Sequence, residues 1–123
     1  AKRITVPVTI DFMQVSSYGD ATESSGIVRI KKDLDDTMEN KEVIIVEDII
    51  DSGRSMKHLL EYLHAKNPKQ VIVATLFHKP KAAVCQVPIA YKGIELENDF
   101  VVGRGLDYDG LGRNYPDLYI LNA

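Results

Sequence analysis

Residues 43–55 read VIIVEDIIDSGRS, and this stretch decides the fold class of the 123-residue chain. The apolar run at 43–46 is short and β-branched, which is typical of a parallel strand that is covered on both faces. A second β-branched run follows at 71–77. Between the runs, four apolar residues keep the spacing of one helix face: Met56, Leu59, Leu60 and Leu63. The order strand, tight loop, helix, strand predicts a right-handed βαβ unit and an α/β domain.

Shorter strand-like segments flank this unit. Residues 4–15 are rich in β-branched side chains, and Pro7 favours an edge strand or a bulge there because proline lacks a backbone donor. Residues 16–26 read SSYGDATESSG, which predicts a mobile loop. Residues 27–31 alternate apolar and basic side chains, as a half-exposed strand does. Further short strands are predicted at 89–91, 100–102 and 118–121.

Composition is typical of a soluble globular protein with one domain. Hydrophobic residues make up 45% of the sequence and charged residues 27%. The net charge of −3 argues against a general affinity for nucleic acid or for an anionic membrane surface. No apolar run approaches the roughly 20 residues of a membrane helix. The one cysteine, Cys85, fits a reducing, cytoplasmic setting and is interpreted as a small, partly buried hydrophobe rather than a nucleophile.

The junction between the 43–46 strand and the following helix carries the candidate ligand site. Ligands of open α/β sheets bind at the carboxyl edge of the strands. The first N–H groups of a helix have no partner within it, and the helix dipole adds partial positive charge. Ser52, Gly53 and Ser55 are small or hydroxylated, so a phosphate can approach the backbone closely. Arg54 either adds charge to this phosphate cradle or points to solvent.

Three carboxylates precede the phosphate cradle: Glu47, Asp48 and Asp51. Carboxylates accept hydrogen bonds from sugar hydroxyls or protons from reacting groups, but they do not bind phosphate. Acids beside a phosphate cradle therefore indicate a ribose 5-phosphate ligand. The simpler alternative is that Asp51 or Ser52 caps the helix. A Walker-type loop is excluded because the pattern G-x-x-x-x-G-K is absent.

The 43–55 segment resembles the phosphoribosyl-pyrophosphate motif of phosphoribosyltransferases: an apolar strand, two acids, two apolar residues, an aspartate, a small residue and a glycine. Three further segments resemble the hypoxanthine-guanine type: VTIDFMQVSSYGDATESSG (8–26), KNPKQVIVATLFHKP (66–80) and NDFVVGRGLDYDGLGR (98–113). The resemblance covers nearly the whole chain. It implies a single type I phosphoribosyltransferase domain over residues 1–123, with a Rossmann-like parallel sheet flanked by helices.

The resemblance also implies roles for the residues of the motif. Glu47 and Asp48 match the acids that contact the ribose hydroxyls. Asp51 matches the catalytic residue that exchanges a proton near N7 of the purine. The 5-phosphate is expected in the cradle formed by Ser52, Gly53, Arg54 and Ser55.

On the purine side, Lys79 matches the lysine that donates to the 6-oxo group. Phe100 matches the aromatic residue that stacks on the base, and Val101 the residue whose backbone meets the base edge. Taken singly, Lys79 is interpreted more simply as a solvated lysine and Phe100 as a core residue.

The remaining matches concern the leaving group. Asp107 matches a carboxylate at a Mg²⁺ ion, and Arg113 matches an arginine that contacts pyrophosphate. Ser17 and Tyr18 match the lid loop at about 16–26. The chain departs from the family pattern at Arg104, where the family often has an aromatic residue, and in its short, glycine-containing stretch before Arg113.

The implied activity is purine salvage: transfer of 5-phosphoribose from phosphoribosyl pyrophosphate to N9 of hypoxanthine or guanine, giving IMP or GMP and pyrophosphate. Relatives imply a homodimer or homotetramer. The family's N-terminal segment, with its pyrophosphate loop, is not in the sequence, so the fold is expected to be incomplete at the N-terminus. Two alternatives stay open: a nucleotide-binding regulatory protein and a catalytically silent truncated domain.

Overall fold

A three-stranded parallel sheet forms the centre of the computed structural model, which describes residues 1–18 and 27–122. Its strands, β3 (Glu42–Ile50), β4 (Gln70–His78) and β5 (Tyr91–Glu95), lie in the order β3-β4-β5. Helix α1 (Arg54–His64) connects β3 to β4. Because both strand pairs are parallel, the predicted βαβ unit and the α/β class are confirmed. None of the helices in the described ranges is long and apolar enough to cross a membrane.

The core lies between this sheet and α1. Met56, Leu59 and Leu63 are buried on the helix, and Leu60 is partly buried against them. The sheet contributes Ile50 of β3 and Val73 of β4, and Met38 from the connection before β3 completes the cluster. The predicted helix face is therefore confirmed, and it fixes α1 against the sheet.

The other face of β3 is open in the described structure. Val43 and Ile45 pack against the core, whereas Ile44 is 55% exposed and Val46 79% exposed. Among residues 1–18 and 27–122, β3 pairs with β4 alone. The prediction that the 43–46 strand is covered on both faces is therefore wrong for the described residues, because α1 covers one face of the sheet.

A separate hairpin precedes the sheet. Strands β1 (Gln14–Tyr18) and β2 (Ile27–Lys32) pair antiparallel, which confirms the strand predicted at 27–31. The strand predicted at 4–15 is largely wrong, since 1–13 form no strand and Pro7 offers no backbone donor. The predicted loop also begins too early, because Ser16 to Tyr18 belong to β1. Its remainder, residues 19–26, lies outside the described residues.

The C-terminal part of the chain forms a small ribbon of β6 (Val101–Val102) and β7 (Tyr119–Ile120), paired antiparallel. Gly103 follows β6 with φ 110°, and a Cβ there would lie 2.0 Å from the carbonyl oxygen of Asp117. Only glycine fits this close approach of two backbones. Phe100 immediately precedes the ribbon, and Val101 is the first residue of β6.

Candidate active site

The acids of the motif lie at the carboxyl end of β3. The strand extends to Ile50, so Glu47 and Asp48 belong to it and Asp51 is the first residue beyond it. Neighbouring strand residues project to opposite faces, and accordingly Glu47 is half-buried while Asp48 is exposed. Burial, and secondarily the nearby Asp48 carboxylate, raise the pKa of Glu47 above its usual value. The surroundings of Glu47 therefore disfavour the ionised form of its carboxyl group.

The phosphate cradle is built on the N-terminus of α1. Its cap residue is Gly53, in the left-handed conformation at φ 82°. Because Gly53 has no side chain, the alternative that Asp51 or Ser52 caps the helix is wrong; Ser52 Oγ accepts only a long, 3.4 Å hydrogen bond from Arg54 N–H. The Lys57 N–H makes the first intrahelical bond, 2.9 Å to the Gly53 carbonyl oxygen. The N–H groups before Lys57 make no intrahelical bond, and that of Arg54 makes only the long bond to Ser52 Oγ, so this turn can offer donors to an anion.

A buried lysine lies beside the third acid. Lys79 follows β4, its N–H donates to the Ile50 carbonyl oxygen at 3.0 Å, and its Nζ lies 3.6 Å from Asp51 Oδ2. The whole Lys79 residue is 6% exposed, so its interpretation as a solvated lysine is wrong. The Asp51 side chain stays 57% exposed, which leaves its carboxylate accessible to a ligand.

The two predicted purine contacts flank the start of β6. Val101 is buried at 7% exposure, whereas Phe100 is 51% exposed, so the alternative of Phe100 as a core residue is wrong. The Phe100 ring meets Tyr108 edge to face, with centroids 5.8 Å apart. The sequence analysis missed Tyr108, and nothing in the sequence marks it as the neighbour of Phe100. The pair presents an exposed aromatic surface on which a planar base can stack.

A tight turn brings Asp107 and Arg113 together. Tyr108 and Leu111 exchange two backbone hydrogen bonds across Asp109 and Gly110, which have φ 50° and 79°. Two positive φ angles define the type I′ hairpin turn that Asp-Gly favours. After this turn, Arg113 Nη2 lies 3.0 Å from Asp107 Oδ1. Arg113 Nη1 donates to the Gly105 carbonyl oxygen at 2.7 Å.

Similarity to known proteins follows the same segments. The family model for the phosphoribosyl transferase domain matches residues 1–109. The chain belongs to the phosphoribosyltransferase domain family. Hypoxanthine-guanine phosphoribosyltransferase of Mycobacterium bovis is 50% identical over 118 residues, which are 96% of this chain and 57% of that relative. The enzyme of the same name from Staphylococcus epidermidis is 43% identical over 99% of this chain and 68% of that relative. The resemblance found in the sequence is thereby confirmed.

Solved structures agree with the phosphoribosyltransferase assignment. The crystal structure of a hypoxanthine phosphoribosyltransferase from Staphylococcus aureus superposes with a TM-score of 0.93 at 42% identity, covering 98% of this chain and 66% of that one. The type I phosphoribosyltransferase fold is therefore confirmed. The chain spans about 57% of the length of the Mycobacterium bovis relative.

For a phosphoribosyltransferase, the carboxylates fit a divalent ion held mainly by its substrate. Among the residues that the structure describes, no group of three or more acids, histidines and cysteines could hold a metal alone. Magnesium, however, is usually bound by one or two carboxylates together with substrate phosphates. Asp107 is the right type of donor; its Oδ1 pairs with Arg113, and its Oδ2 accepts a hydrogen bond from Gly110 N–H at 2.8 Å.

The residues predicted to form the lid are described only up to Tyr18. The backbones of Ser17 and Tyr18 pair with Val28 and Ile27 at the end of the β1–β2 hairpin. The rest of the predicted lid lies outside the described residues. Arg104 donates to the Pro116 carbonyl oxygen at 3.1 Å, so its side chain is directed to the C-terminal segment.

Proposed function

We propose that the protein containing this chain transfers 5-phosphoribose from phosphoribosyl pyrophosphate to N9 of hypoxanthine or guanine, releasing pyrophosphate and forming IMP or GMP. The observation that carries this proposal is the 3.6 Å pairing of buried Lys79 with exposed Asp51 next to the N-terminus of α1. An acid, a cation and an anion cradle thus meet at one edge of the sheet. The names and identities of the relatives support the same activity.

The sugar end of the reaction fits the motif. The bond between C1 of the ribose and pyrophosphate breaks, C1 gains positive charge, and a bond from N9 of the purine to C1 forms. Glu47 and Asp48 would accept hydrogen bonds from the ribose hydroxyls and favour the cationic sugar. The 5-phosphate would bind the backbone N–H groups of the cradle: Ser52, Gly53, Arg54 and Ser55.

At the purine, Asp51 would accept or return the proton at N7, since its carboxylate is exposed at the site. Lys79 would donate from Nζ to the 6-oxo group. A 6-amino group is itself a donor, so adenine would offer this buried ammonium no acceptor at its 6-position. Phe100 would stack on the base, and the backbone of Val101 would meet its edge.

At the leaving group, Arg113 would bind pyrophosphate and Asp107 would help to hold Mg²⁺. A bound Mg²⁺ would neutralise charge that develops on pyrophosphate. Ser17 and Tyr18 would belong to a lid that keeps water from competing with the purine. We further propose a single domain over 1–123, a homodimer or homotetramer, and a cytoplasmic location in line with the one cysteine.

A nucleotide-binding regulator would share the phosphate cradle. It would need neither a proton-transferring acid nor a buried lysine beside that acid. The pairing of Lys79 with Asp51 therefore supports an enzyme over a regulator.

The proposal is tested with the protein expressed from its natural gene. Phosphoribosyl pyrophosphate, Mg²⁺ and hypoxanthine or guanine are mixed with it, and IMP, GMP and pyrophosphate are quantified by chromatography and a coupled assay. Formation of nucleotide and pyrophosphate in equal amounts is expected. Binding of phosphoribosyl pyrophosphate with no product would contradict the enzyme and favour the regulator.

A further inference from the structure

One segment of the chain runs behind the phosphate cradle and carries Lys79 at its start. This segment, residues 79–87, is called the brace below. The brace begins at the end of β4 and passes through a short 3-10 helix, Pro80–Ala82. Hydrogen bonds from Ala82 N–H to Lys79 O and from Ala83 N–H to Pro80 O close its first turn. The brace thus begins as a defined turn next to the Asp51–Lys79 pair.

The brace holds the cradle through backbone hydrogen bonds. The N–H groups of Val84 and Cys85 both donate to the Ser52 carbonyl oxygen, at 2.9 Å and 3.2 Å. Next to them, the Cys85 carbonyl oxygen lies 2.8 Å from the position that a Cβ on Gly53 would take. The brace backbone therefore fixes the Ser52 carbonyl and lies close to Gly53.

A cavity lies beside this contact. A cavity of about 150 Å³ lies between the two segments, lined by Asp51 and Gly53 on the cradle side and by Ala83 and Cys85 on the brace side. The Val84 side chain is 59% exposed. Beside this cavity, Val87 Cγ2 lies 3.1 Å from the position that a Cβ on Gly53 would take, so the bonds to Ser52 act together with local packing to keep the segments in register.

The cradle depends on contacts at this point. Its cap residue, Gly53, lacks a side chain, and the left-handed backbone there is intrinsically mobile without contacts. A phosphate bound by N–H groups needs those groups held in one orientation before it arrives. The Ser52 carbonyl and the Gly53 N–H belong to the same planar peptide group. Fixing that carbonyl therefore also orients the Gly53 N–H, which is a donor of the cradle.

We propose that Val84 and Cys85 are positioning residues for the 5-phosphate site, acting through their backbone N–H groups on the Ser52 carbonyl. This inference rests on the proposed function. The brace also joins the purine lysine to the phosphate cradle, so one short segment sets the positions of both.

The test measures how much the 5-phosphate adds to binding. The affinities of IMP and inosine are measured by calorimetry with the protein expressed from its natural gene, and their ratio isolates the phosphate contribution. Val84→Pro removes one N–H donor; Ala83, at φ −63° and ψ 123°, already has the conformation that precedes proline. Val84→Ala keeps the donor and serves as the matched control.

In Val84→Pro, the IMP-to-inosine affinity ratio is expected to fall about fivefold to tenfold, the effect of one well-placed hydrogen bond. Affinity for inorganic pyrophosphate should stay the same, as should the ratio in Val84→Ala. If Val84→Pro fails to fold, the α-hydroxy acid analogue of valine at position 84 replaces the N–H by an ester oxygen and keeps the side chain.

The outcomes separate the two proposals. No preference of the unmodified protein for IMP over inosine would contradict the proposed function itself. A clear preference in the unmodified protein that folded Val84→Pro, or the ester variant in its place, retains within twofold would overturn the positioning role of the brace. A loss in the ester variant that spares pyrophosphate binding would support it.

Discussion

Lys79 Nζ lies 3.6 Å from Asp51 Oδ2, with the lysine residue 6% exposed and the aspartate side chain 57% exposed. The buried ammonium has a carboxylate for a partner, and that carboxylate faces the ligand side of the sheet. A buried charge that loses its partner is strongly unfavourable. The pair therefore couples the lysine proposed to recognise the purine to the aspartate proposed to exchange its proton.

Asp51→Asn should lower turnover about 10²- to 10⁴-fold, because an amide cannot accept the N7 proton. The KM for phosphoribosyl pyrophosphate should change little, since the cradle and the ribose acids remain. Steady-state kinetics at saturating hypoxanthine measure both quantities. Turnover equal to that of the unmodified enzyme would refute the proton-transfer role of Asp51.

Lys79→Ala should relax the preference for 6-oxo purines at least about tenfold, measured as the ratio of kcat/KM for hypoxanthine to that for adenine. The matched control is Lys81→Ala, which removes an exposed lysine that pairs with Glu97 at 2.6 Å. The control should keep the selectivity. An unchanged ratio in Lys79→Ala would show that the 6-position is recognised elsewhere.

Glu47→Gln should stabilise the protein at neutral pH. The folded-state pKa of Glu47 is raised by burial, so stability from the neutral carboxyl is present below the usual pKa and is lost as the pH rises through the folded value. The melting temperature of Glu47→Gln should therefore exceed that of the unmodified protein at pH 7. This advantage should shrink as the pH falls through the raised pKa of Glu47, and it should be largely gone below about 4.3, the usual pKa of glutamate. A difference that grows on acidification would contradict the burial of this acid.

Gly103→Ala should destabilise the protein much more than Gly105→Ala. Both glycines have positive φ, 110° and 95°, and the unfavourable backbone alone amounts to roughly 1–2 kcal/mol. A Cβ at position 103 would also lie 2.0 Å from the Asp117 carbonyl oxygen, whereas one at 105 would meet nothing within 4 Å. Urea unfolding of the two variants measures the difference. Equal losses would show that the backbones do not approach as closely as the structure has them.

Local patterns predicted the centre of the fold. The β-branched run at 43–46 and the stripe of Met56, Leu59 and Leu63 predicted the βαβ unit. The prediction succeeded because the apolar residues spaced along one helix face are the ones that α1 buries. The strand at 4–15 failed because β-branched composition alone does not supply a neighbouring strand.

The sequence named the candidate site residues, whose roles stay predictions, but it did not show which of them pair with one another. The proximity of Lys79 to Asp51 depends on the parallel register of β3 and β4, which aligns Ile50 with His78. The pairing of Asp107 with Arg113 depends on the turn at Asp109-Gly110, for which the Asp-Gly dipeptide is a usable signal. The bonds from the brace to Ser52 join residues far apart in sequence, so no local pattern reports them.

The most direct measurement is an NMR titration of the ¹⁵N-labelled protein with ribose 5-phosphate. The account predicts that the backbone amide resonances of Gly53, Arg54 and Ser55 shift saturably, while those of Tyr119 and Ile120 in β7 stay in place. Saturable binding that leaves the amides of α1's first turn unmoved would contradict the placement of the phosphate at the junction of β3 and α1.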